Sequence, residues 1–597
     1  MKAATLQKFC LSALAFLFLA VLTTPALADG DDPPSLVARV SYLSGNVSFE
    51  PSGENQFSQA SINYPLTTGD RIYTEQGGRV ELETGNIAVR VSGNTDITTT
   101  NLTDNLLQFG LSQGTARFRA YNLPAGQSIE IDTPNAAFTI LRAGNYRFET
   151  YPDSDTTFVT VTSGDLEISG AGNSQTVHSG QAVRLTGANP AQIEWVSIPA
   201  GDDFDRWCGD RDRRFTSARS LQYVSHGVPG YADLDDYGRW EPVPQYGQVW
   251  YPVAVPVGWV PYRYGHWAWV EPWGWTWIED EPWGFAPFHY GRWVFVGSRW
   301  GWVPAPPVAP VPCYAPALVA FVGGGGFSVS LRFGGGVQAW FPLGPEEPFY
   351  PWYHHSPVYL RQVNVTNVRN VTNITNVINV RTTNVTNITY VNQRVGTTAV
   401  PSEAFRSSQP VAHQMVALKA DEVARAQVIA HPQIHPDARA ITGGTAQTHP
   451  PIQVVHPAVA ERIAVSQTNV KDGPDNNRVV ERNTHTIPQT LGRASGNSGQ
   501  GSTGTDNRKF EHGNLDKTPR NTRALITKTP PPPPNPSFEV RRNAMEPHPG
   551  RPLEPQQVQN LRQGRPAGPM HDEEFHHHDG ITGKHAEEHT KDRDKTR

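Results

Sequence analysis

Cysteine and basic charge are both scarce in this chain of 597 residues, and each shortage excludes a class of protein. A disulfide-rich scaffold needs many cysteines, whereas only three are present here, and only Cys208 and Cys313 lie beyond residue 10. The formal net charge is −6, without a basic stripe that could neutralise phosphates, so we expect no nucleic-acid partner. Beyond the first 30 residues, no apolar run reaches the roughly 20 residues of a transmembrane helix.

Signatures of catalysis are scarce as well. The chain has no G-x-S-x-G nucleophile elbow, and its four glycines at 323–326 are not followed by the Lys and Ser/Thr of a phosphate loop. His585, Glu588 and His589 match the H-x-x-E-H pattern of zinc peptidases, but the chain ends too soon to supply a third ligand well downstream. We interpret this stretch as a solvated, acidic and histidine-rich tail. The sequence therefore predicts no enzyme activity, no metal site and no cofactor.

The first 28 residues have the three parts of a secretory signal peptide. Two lysines form a positive n-region, the run FCLSALAFLFLAVL is apolar, and an A-x-A motif ends at Ala28. We therefore expect cleavage between Ala28 and Asp29, and export to the periplasm or the extracellular space. An oxidising compartment permits a disulfide between Cys208 and Cys313, but two free thiols fit the sequence equally well.

Residues 36–187 have the pattern of short strands almost throughout. Segments such as RVELETGNIAVRVSG and TTFVTVTSGDLEISG are rich in β-branched residues, alternate apolar with polar positions, and are punctuated by Gly, Asn or Asp. Helical periodicity is absent. The pattern predicts one all-β domain over 36–187, which is long enough to bury its own core.

The same region resembles the FecR-like domain. The resemblance lies in Gly45-Asn46-Val47, in LTTGDRIYT with its Gly69-Asp70, and in TPNAAFTILRAGNYRF, which corresponds to the family's T-P-x-A and R-G-T-x-F motifs. FecR is a periplasmic sensor that signals to a sigma factor through a membrane helix and a cytoplasmic tail. Because this sequence shows neither of those parts and has Arg142-Ala143-Gly144 within the second motif, the resemblance implies a β fold and an envelope location, but not sigma-factor regulation.

A change of composition separates this region from the next. Residues 188–235 have mixed charge and are predicted to be a linker, whereas most of the 16 tryptophans lie in 236–352. The motif Tyr-Gly-Arg/His-Trp recurs at 237–240, 264–267 and 290–293. A regular repeat of this length is typical of one supersecondary unit that stacks on its neighbours. We predict a short β-hairpin repeat in which Tyr-Gly forms tight bends between paired strands.

The tryptophan-rich region resembles domain of unknown function 6600, an exported family that often follows a FecR-like domain. The resemblance runs from the repeats through APALVAFVGGGGF to AWFPLGPEEPFYPWY. We place this domain at 236–352. The resemblance implies no activity, because the family has no known function.

The tryptophans of the repeats have two competing explanations. They could form the core of a small β module, since a β repeat with few aliphatic residues needs large aromatic side chains. Alternatively, residues two apart in a strand share a face, so an exposed subset would form a stacking platform for sugar rings or a proline-rich peptide. The candidate platform comprises Trp259, Trp267, Trp269, Trp273, Trp275, Trp277, Trp283, Trp293, Trp300 and Trp302.

The rest of the chain has little capacity to form a packed core. In 353–396, asparagine recurs every third residue from Asn364 onward, which fits a polyproline II or three-sided coil, or a β-prone disordered tract. Residues 397–597 are polar, with low-complexity stretches such as TPPPPPNP. We expect them to be disordered apart from one helix near 412–430.

These observations favour a mainly β, modular, non-enzymatic exported protein that binds or scaffolds an envelope component through its tryptophan-rich module. Cell-wall glycan is the ligand that chemistry and location favour, while the partner's identity and the oligomeric state stay open. One alternative is a FecR-like periplasmic sensor that acts with a membrane partner. A more distant alternative is a cell-wall glycan hydrolase that would use two carboxylates among Glu279, Asp280 and Glu281.

Overall fold

Strands predominate in the computed structural model of the protein, which confirms the expected mainly β fold. The expected cleavage site at Ala28 and Asp29, most of the asparagine repeat and the histidine-rich motif at 585–589 lie outside the described residues. The structure describes residues 31–170, 174–188, 190–305, 313–323, 336–365, 367, 389–429, 431–451, 462–463 and 525–570.

The alternating segments of the first domain form 17 strands. Burial alternates along several of them, because one face of each strand points into the core. The strands are β1 Ala38–Ser44, β2 Val47–Glu50, β3 Ser58–Gln59, β4 Pro65–Leu66, β5 Arg71–Thr74, β6 Arg79–Glu83, β7 Ile87–Val91, β8 Thr95–Leu102, β9 Leu106–Ala120, β10 Ser128–Asp132, β11 Ala137–Ile140, β12 Gly144–Tyr151, β13 Thr156–Ser163, β14 Asp165–Ser169, β15 Gln175–His178, β16 Gln181–Thr186 and β17 Gln192–Val196.

Two sheets share the long strand β9. Sheet I has the order β4-β1-β6-β7-β9-β12-β13-β16-β17. Sheet II has the order β3-β2-β5-β8-β9-β10-β11-β14-β15, in which β9 and β10 are parallel and the other neighbours antiparallel. The inner faces meet, since the rings of Phe138 in sheet II and Phe148 in sheet I are 5.1 Å apart, centre to centre. The first domain is therefore a β-sandwich.

The predicted linker 188–235 contains ordered elements, which corrects the prediction: β17 belongs to sheet I, and Asp203–Thr216 form an α-helix, α1. A capping box between Asp202 and Asp205 begins the helix and satisfies two backbone N–H groups there. One face of α1 buries Phe204, Cys208 and Phe215. Its charged residues, which resembled those of a solvated linker, surround a buried apolar stripe.

Ion pairs hold α1 on the outer face of sheet I. Asp212 Oδ1 lies 2.6 Å from Arg90 Nη1, and Asp205 Oδ1 lies 2.8 Å from Arg117 Nη1. Arg211 of α1 in turn forms an ion pair with Glu81 of sheet I. Because Glu81 is flanked by Arg211 and Arg90, their charges hold the pKa of its carboxyl down at about 2, although burial opposes this. The outer face of sheet I is therefore buried around Glu81, Arg90 and Arg117.

Each Tyr-Gly-x-Trp motif begins a β-hairpin, so the predicted hairpin repeat is confirmed. In each hairpin, tryptophans of the two strands lie directly opposite each other, as Trp267 and Trp277 do in hairpin 2. Such cross-strand aromatic pairs stabilise a sheet. Hairpin 1 is β18 Gly238–Val243 with β19 Gly247–Pro252, hairpin 2 is β20 Gly265–Val270 with β21 Gly274–Glu279, and hairpin 3 is β22 Arg292–Val296 with β23 Arg299–Val303.

The Tyr-Gly pairs do not form the bends between paired strands, which corrects the expectation from the repeat. They lie at or just before the start of the first strand of each hairpin. A tryptophan of the second strand covers each glycine: a Cβ on Gly238 would lie 2.1 Å from the ring of Trp250, and one on Gly265 would lie 2.8 Å from the ring of Trp277. Glycine and tryptophan therefore recur together because any larger residue would displace the indole.

Part of the region 397–597, which was expected to be disordered, forms strands that complete a third sheet. The expectation of disorder is therefore wrong for that part. This sheet has the order β26-β25-β24-β27, and its outer strands come from beyond residue 397. The helix expected near 412–430 forms only at 420–425 and is followed by a strand. The remaining strands are β24 Val319–Gly323, β25 Val337–Pro342, β26 Thr398–Pro401, β27 Gln427–Ile429, β28 Arg462–Ile463 and β29 Ile526–Thr527.

The helices after α1 are short. Within the described ranges, none is long and apolar enough to cross a membrane. They are α2 Leu234–Tyr237, α3 Ala286–His289, α4 Pro357–Val365, α5 Gln393–Gly396, α6 Ser402–Arg406, α7 Ala420–Arg425, α8 Phe538–Met545 and α9 Pro555–Arg562, with 3₁₀ turns at Pro152–Ser154, Arg219–Gln222, Val411–His413 and Ala440–Thr442.

Buried polar contacts join the sandwich to the hairpins. Arg39 of β1 pairs with Asp233 at 2.5 Å and with Glu83 at 3.4 Å, and it also donates to the carbonyl oxygen of Pro282 at 2.6 Å. Asn63 donates to the carbonyl oxygens of residues 279 and 281. Charged groups this deeply buried cost free energy unless they are paired, so the contacts fix how the two domains meet.

Candidate functional site

All ten tryptophans of the candidate platform are buried, with exposed fractions between 0% and 6%. The expected stacking platform is therefore not formed by them. The ten buried residues, which therefore offer no exposed stacking surface, are Trp259, Trp267, Trp269, Trp273, Trp275, Trp277, Trp283, Trp293, Trp300 and Trp302.

The indoles are buried because other segments of the chain pack over the hairpins. The ring of Trp267 lies 5.3–5.6 Å from the rings of Trp277, Phe321, Trp340 and Phe405, centre to centre. Each such aromatic pair contributes about 0.5–1.5 kcal/mol beyond the area it buries. Phe321 and Trp340 belong to the third sheet, and Phe405 belongs to α6. The hairpins thus form the centre of a core that several parts of the chain complete.

Several indole N–H groups are satisfied inside this core. Trp250 donates to the carbonyl oxygen of Leu234 at 2.8 Å, and Trp302 donates to that of Tyr290 at 2.8 Å. Trp277 donates to the Glu279 carboxylate at 2.8 Å. Burial raises the pKa of Glu279 well above its usual range, with the neighbouring acidic residues adding to the effect. Glu279, one of the carboxylates considered for glycan hydrolysis, is thus enclosed by the core.

Cys208 and Cys313 do not pair, so the candidate disulfide is absent from the structure. Cys208 lies on α1 against sheet I, whereas Cys313 precedes the aromatic cluster at Tyr314. Burial raises the pKa of both thiols to about 12, which keeps them protonated. They act as small buried apolar groups.

A cavity of about 250 Å³ lies where the sandwich, hairpin 2 and the C-terminal segment 525–570 meet. We call it the junction cavity. The sequence pattern gave no sign of it, because its walls come from three regions far apart in the chain. Its lining residues are Pro34, Leu36, Thr67, Thr68 and Leu102 of the sandwich domain, Glu271, Pro272 and Trp273 of hairpin 2, and Asn535, Arg541, Leu553, Pro555, Val558 and Arg562 of the C-terminal segment.

Arg541 is the charged anchor of the junction cavity. It is buried, and its guanidinium lies 3.2 Å from the Glu271 carboxylate and 3.8 Å from that of Glu54. It also donates to the carbonyl oxygen of Pro536 at 3.0 Å. Arg562 at the rim donates to the side-chain oxygen of Asn535 at 2.6 Å. With two guanidinium groups and one carboxylate among its lining residues, the cavity favours a ligand that accepts hydrogen bonds.

The sandwich wall of the cavity is held by Asp70, the acidic residue of the Gly69-Asp70 motif. Its carboxylate accepts from the backbone N–H of Thr67 at 2.7 Å and of Ser52 at 2.8 Å. Burial raises the pKa of Asp70 to about 6, against the effect of those donors. The motif therefore positions the Thr67-Thr68 wall and the loop before it.

One part of the chain matches the model of a known family. Residues 231–347 match the family of unknown function DUF6600. The DUF6600 region contains the three hairpins and strands β24 and β25, so the expected resemblance is confirmed for this part of the chain. A comparison with curated proteins finds no match.

Two crystal structures of a protein described as a putative anti-sigma factor, from Parabacteroides distasonis ATCC 8503, are similar to part of the chain. The sequence identity is 16% and the TM-score is 0.20 for both. The similarity covers 22% of this chain and 60% of the other, so the match spans less than two thirds of that protein.

Proposed function

We propose that the protein is an exported, non-enzymatic binding and scaffolding protein of the bacterial envelope, and that its ligand site is the junction cavity. One observation carries the proposal: three distant parts of the chain build a single cavity around the buried guanidinium of Arg541. Because Arg541 is already held by Glu54 and Glu271, little conformational entropy is lost when a ligand binds it. The signal-peptide pattern of residues 1–28 supports export.

A single ring of a cell-wall glycan is the ligand class that this cavity favours. Its volume of about 250 Å³ is below the roughly 300–1,000 Å³ of sites for drug-sized ligands, so a polymer would enter by one ring or side group only. Leu36, Pro272 and Val558, which are only partly buried, offer apolar surface to the C–H groups of a sugar. Thr68 and Arg541 can bond hydroxyl, acetamido or carboxylate oxygens.

Calorimetric titration of the full chain with soluble peptidoglycan fragments tests this proposal. Leu36→Trp fills the cavity from the sandwich side, and we expect it to weaken binding at least about tenfold. Val257→Trp is the matched control, because it adds the same indole at a fully exposed position outside the cavity. Near-ultraviolet circular dichroism checks that both variants keep the fold.

Two results would count against the proposal. Equal binding by the wild type and Leu36→Trp would place the ligand elsewhere on the chain. Absence of binding by the wild type would remove cell-wall glycan as the ligand of the junction cavity.

A further inference from the structure

Three polar side chains on the outer face of sheet II are buried although their positions point away from the core. Gln108, Glu130 and Asp132 alternate with core residues such as Ile129 and Ile131, so the strand period places them outside. Glu130 is nevertheless only 1% exposed. Something other than the sandwich must cover them.

Residues 525–529 of the C-terminal segment provide that cover. The Glu130 carboxylate accepts from the backbone N–H of Lys528 at 2.7 Å and of Thr529 at 2.9 Å, and from the Thr529 hydroxyl at 2.6 Å. Gln108 donates to the carbonyl oxygen of Thr529 at 2.8 Å. Because these hydrogen bonds engage the backbone N–H groups of two successive residues and a backbone carbonyl, they form a specific anchor for an extended chain.

A second anchor lies at the other end of the proline run. The Glu54 carboxylate accepts from the backbone N–H of Phe538 at 2.6 Å, and the side-chain nitrogen of Asn535 lies 3.1 Å from Ser52 Oγ. Gly53 has a φ of +85°, and a Cβ there would lie 2.7 Å from the carbonyl oxygens of Asn535 and Pro536. The loop of the sandwich therefore leaves room for this segment at one defined place.

Five consecutive prolines connect the two anchors. A proline run favours the extended polyproline II conformation, which rises about 3.1 Å per residue, so the six steps from Thr529 to Asn535 span roughly 19 Å. Because such a run is stiff before it binds, little conformational entropy is lost on docking. The two anchors and the run together define a docking groove on sheet II for residues 525–541.

We propose that this groove also accepts residues 525–541 of a second copy of the chain, so that two copies associate by exchanging their proline-rich segments. The contacts are non-covalent, and Glu130 and Lys528 are 398 positions apart in the sequence. A second copy has the same residues at both anchors and the same spacing between them, because its sequence is identical. An unrelated proline-rich peptide would have to match both by chance. The inference does not depend on the ligand of the junction cavity.

Exchange must compete with docking of the chain's own segment. A segment tethered to its own groove has an effective concentration of up to about millimolar, so wild-type chains at low concentration are expected to be monomers. Exchange can be detected when one copy lacks a working groove and the other lacks a working segment. This property allows a complementation experiment on full chains.

The experiment uses two full-length double variants. The groove variant, Glu130→Ala with Glu54→Ala, keeps an intact segment, and the segment variant, Thr529→Pro with Phe538→Ala, keeps an intact groove. Each alone is expected to be monomeric by light scattering. When the two variants are mixed at about 0.1 mM, a tenth of the effective concentration of a tethered segment, they are expected to form a one-to-one complex. A mixture that stays monomeric, with both variants folded by circular dichroism, overturns the proposal.

A labelled peptide of residues 525–545 gives a second readout that does not require the groove variant to fold. It is expected to bind the segment variant at least tenfold more tightly than the wild type, whose groove is occupied, and a Thr529→Pro peptide is expected not to bind. Failure of the unmodified peptide to bind contradicts the proposal. Peptide binding without complex formation between the two variants also contradicts it, and indicates a proline-rich partner other than a second copy. Titration with glycan fragments is a separate readout, so failure of either proposal is distinguishable.

Discussion

Replacement of Gly265 by alanine is expected to destabilise hairpin 2 by about 1–3 kcal/mol, the usual cost of overpacking a core. The added Cβ would lie 2.2 Å from the carbonyl oxygen of Ile278 and 2.8 Å from the ring of Trp277. A backbone oxygen cannot rotate away, so the paired strands must separate. Trp277 is fully buried and bonded to Glu279, so its displacement also disturbs the contact with Trp267.

Urea denaturation followed by tryptophan fluorescence and circular dichroism measures this effect as a lower midpoint. Gly209→Ala is the matched control, because Gly209 lies within α1 and an added Cβ would meet only Arg213 Nη1, at 3.9 Å. Alanine there is expected to stabilise the helix by up to about 1 kcal/mol. A Gly265→Ala midpoint at or above that of the wild type would refute the idea that the repeated glycines make room for indoles.

Buried ionisable groups lead to three further predictions. Burial raises the pKa of Glu83 from 4.5 to about 7, so its protonated carboxyl contributes about 3 kcal/mol of stability below pH 4.5, and this contribution is lost as the pH rises through 7. Glu83→Gln should therefore flatten the dependence of the free energy of unfolding on pH, measured by urea titration at several pH values. An unchanged pH dependence contradicts the assignment. Asp212→Ala removes one partner of the buried Arg90 and should cost about 2 kcal/mol in thermal unfolding, whereas no loss would mean that α1 docks without this pair. Iodoacetamide should label Cys208 and Cys313 only in the unfolded chain, since both thiols are buried with raised pKa values; labelling of the native chain is the opposing result.

The strands and hairpins could be predicted because burial in them follows a local period. In β9, Leu107 and Phe109 face the core and Gln108 lies between them, which is the alternation that the sequence displays. The repeat of Tyr-Gly-x-Trp likewise revealed three equivalent hairpins. The role of its glycine was not visible, because the indole that covers Gly265 comes from Trp277 on the paired strand and depends on the register.

Burial of the tryptophans could not be predicted from their spacing, because the same alternation suits a core and an exposed platform. The rings that bury Trp267 come from distant segments, and Phe405 lies in a stretch whose composition indicates disorder. The position of α1 was hidden for a similar reason. Its carboxylates resembled solvated charges, since Arg90, the partner of Asp212, is 122 positions away in the sequence.

The junction cavity and the docking groove depend on contacts at still longer range. Glu130 gave no sequence signal, because a polar residue at an outward strand position is ordinary in a sandwich. The proline run was recognised as low complexity, and its composition alone says nothing about a groove that receives it. A signal was present on either side of the proline run, since the apolar residues Ile526 and Phe538 stand in a largely polar segment and both are buried in the structure.

Iodide quenching of tryptophan fluorescence in the full chain tests most directly the central claim, that the tryptophan-rich hairpins form a core and not a stacking surface. If the hairpins form a core, strong quenching is confined to Trp195, which is 51% exposed on β17, with smaller contributions from the partly buried Trp207 and Trp240. Trp195→Phe should then remove most of the quenchable fraction. A large quenchable fraction that survives this change and is protected by cell-wall glycan would show that the hairpin tryptophans form an exposed platform and not a core.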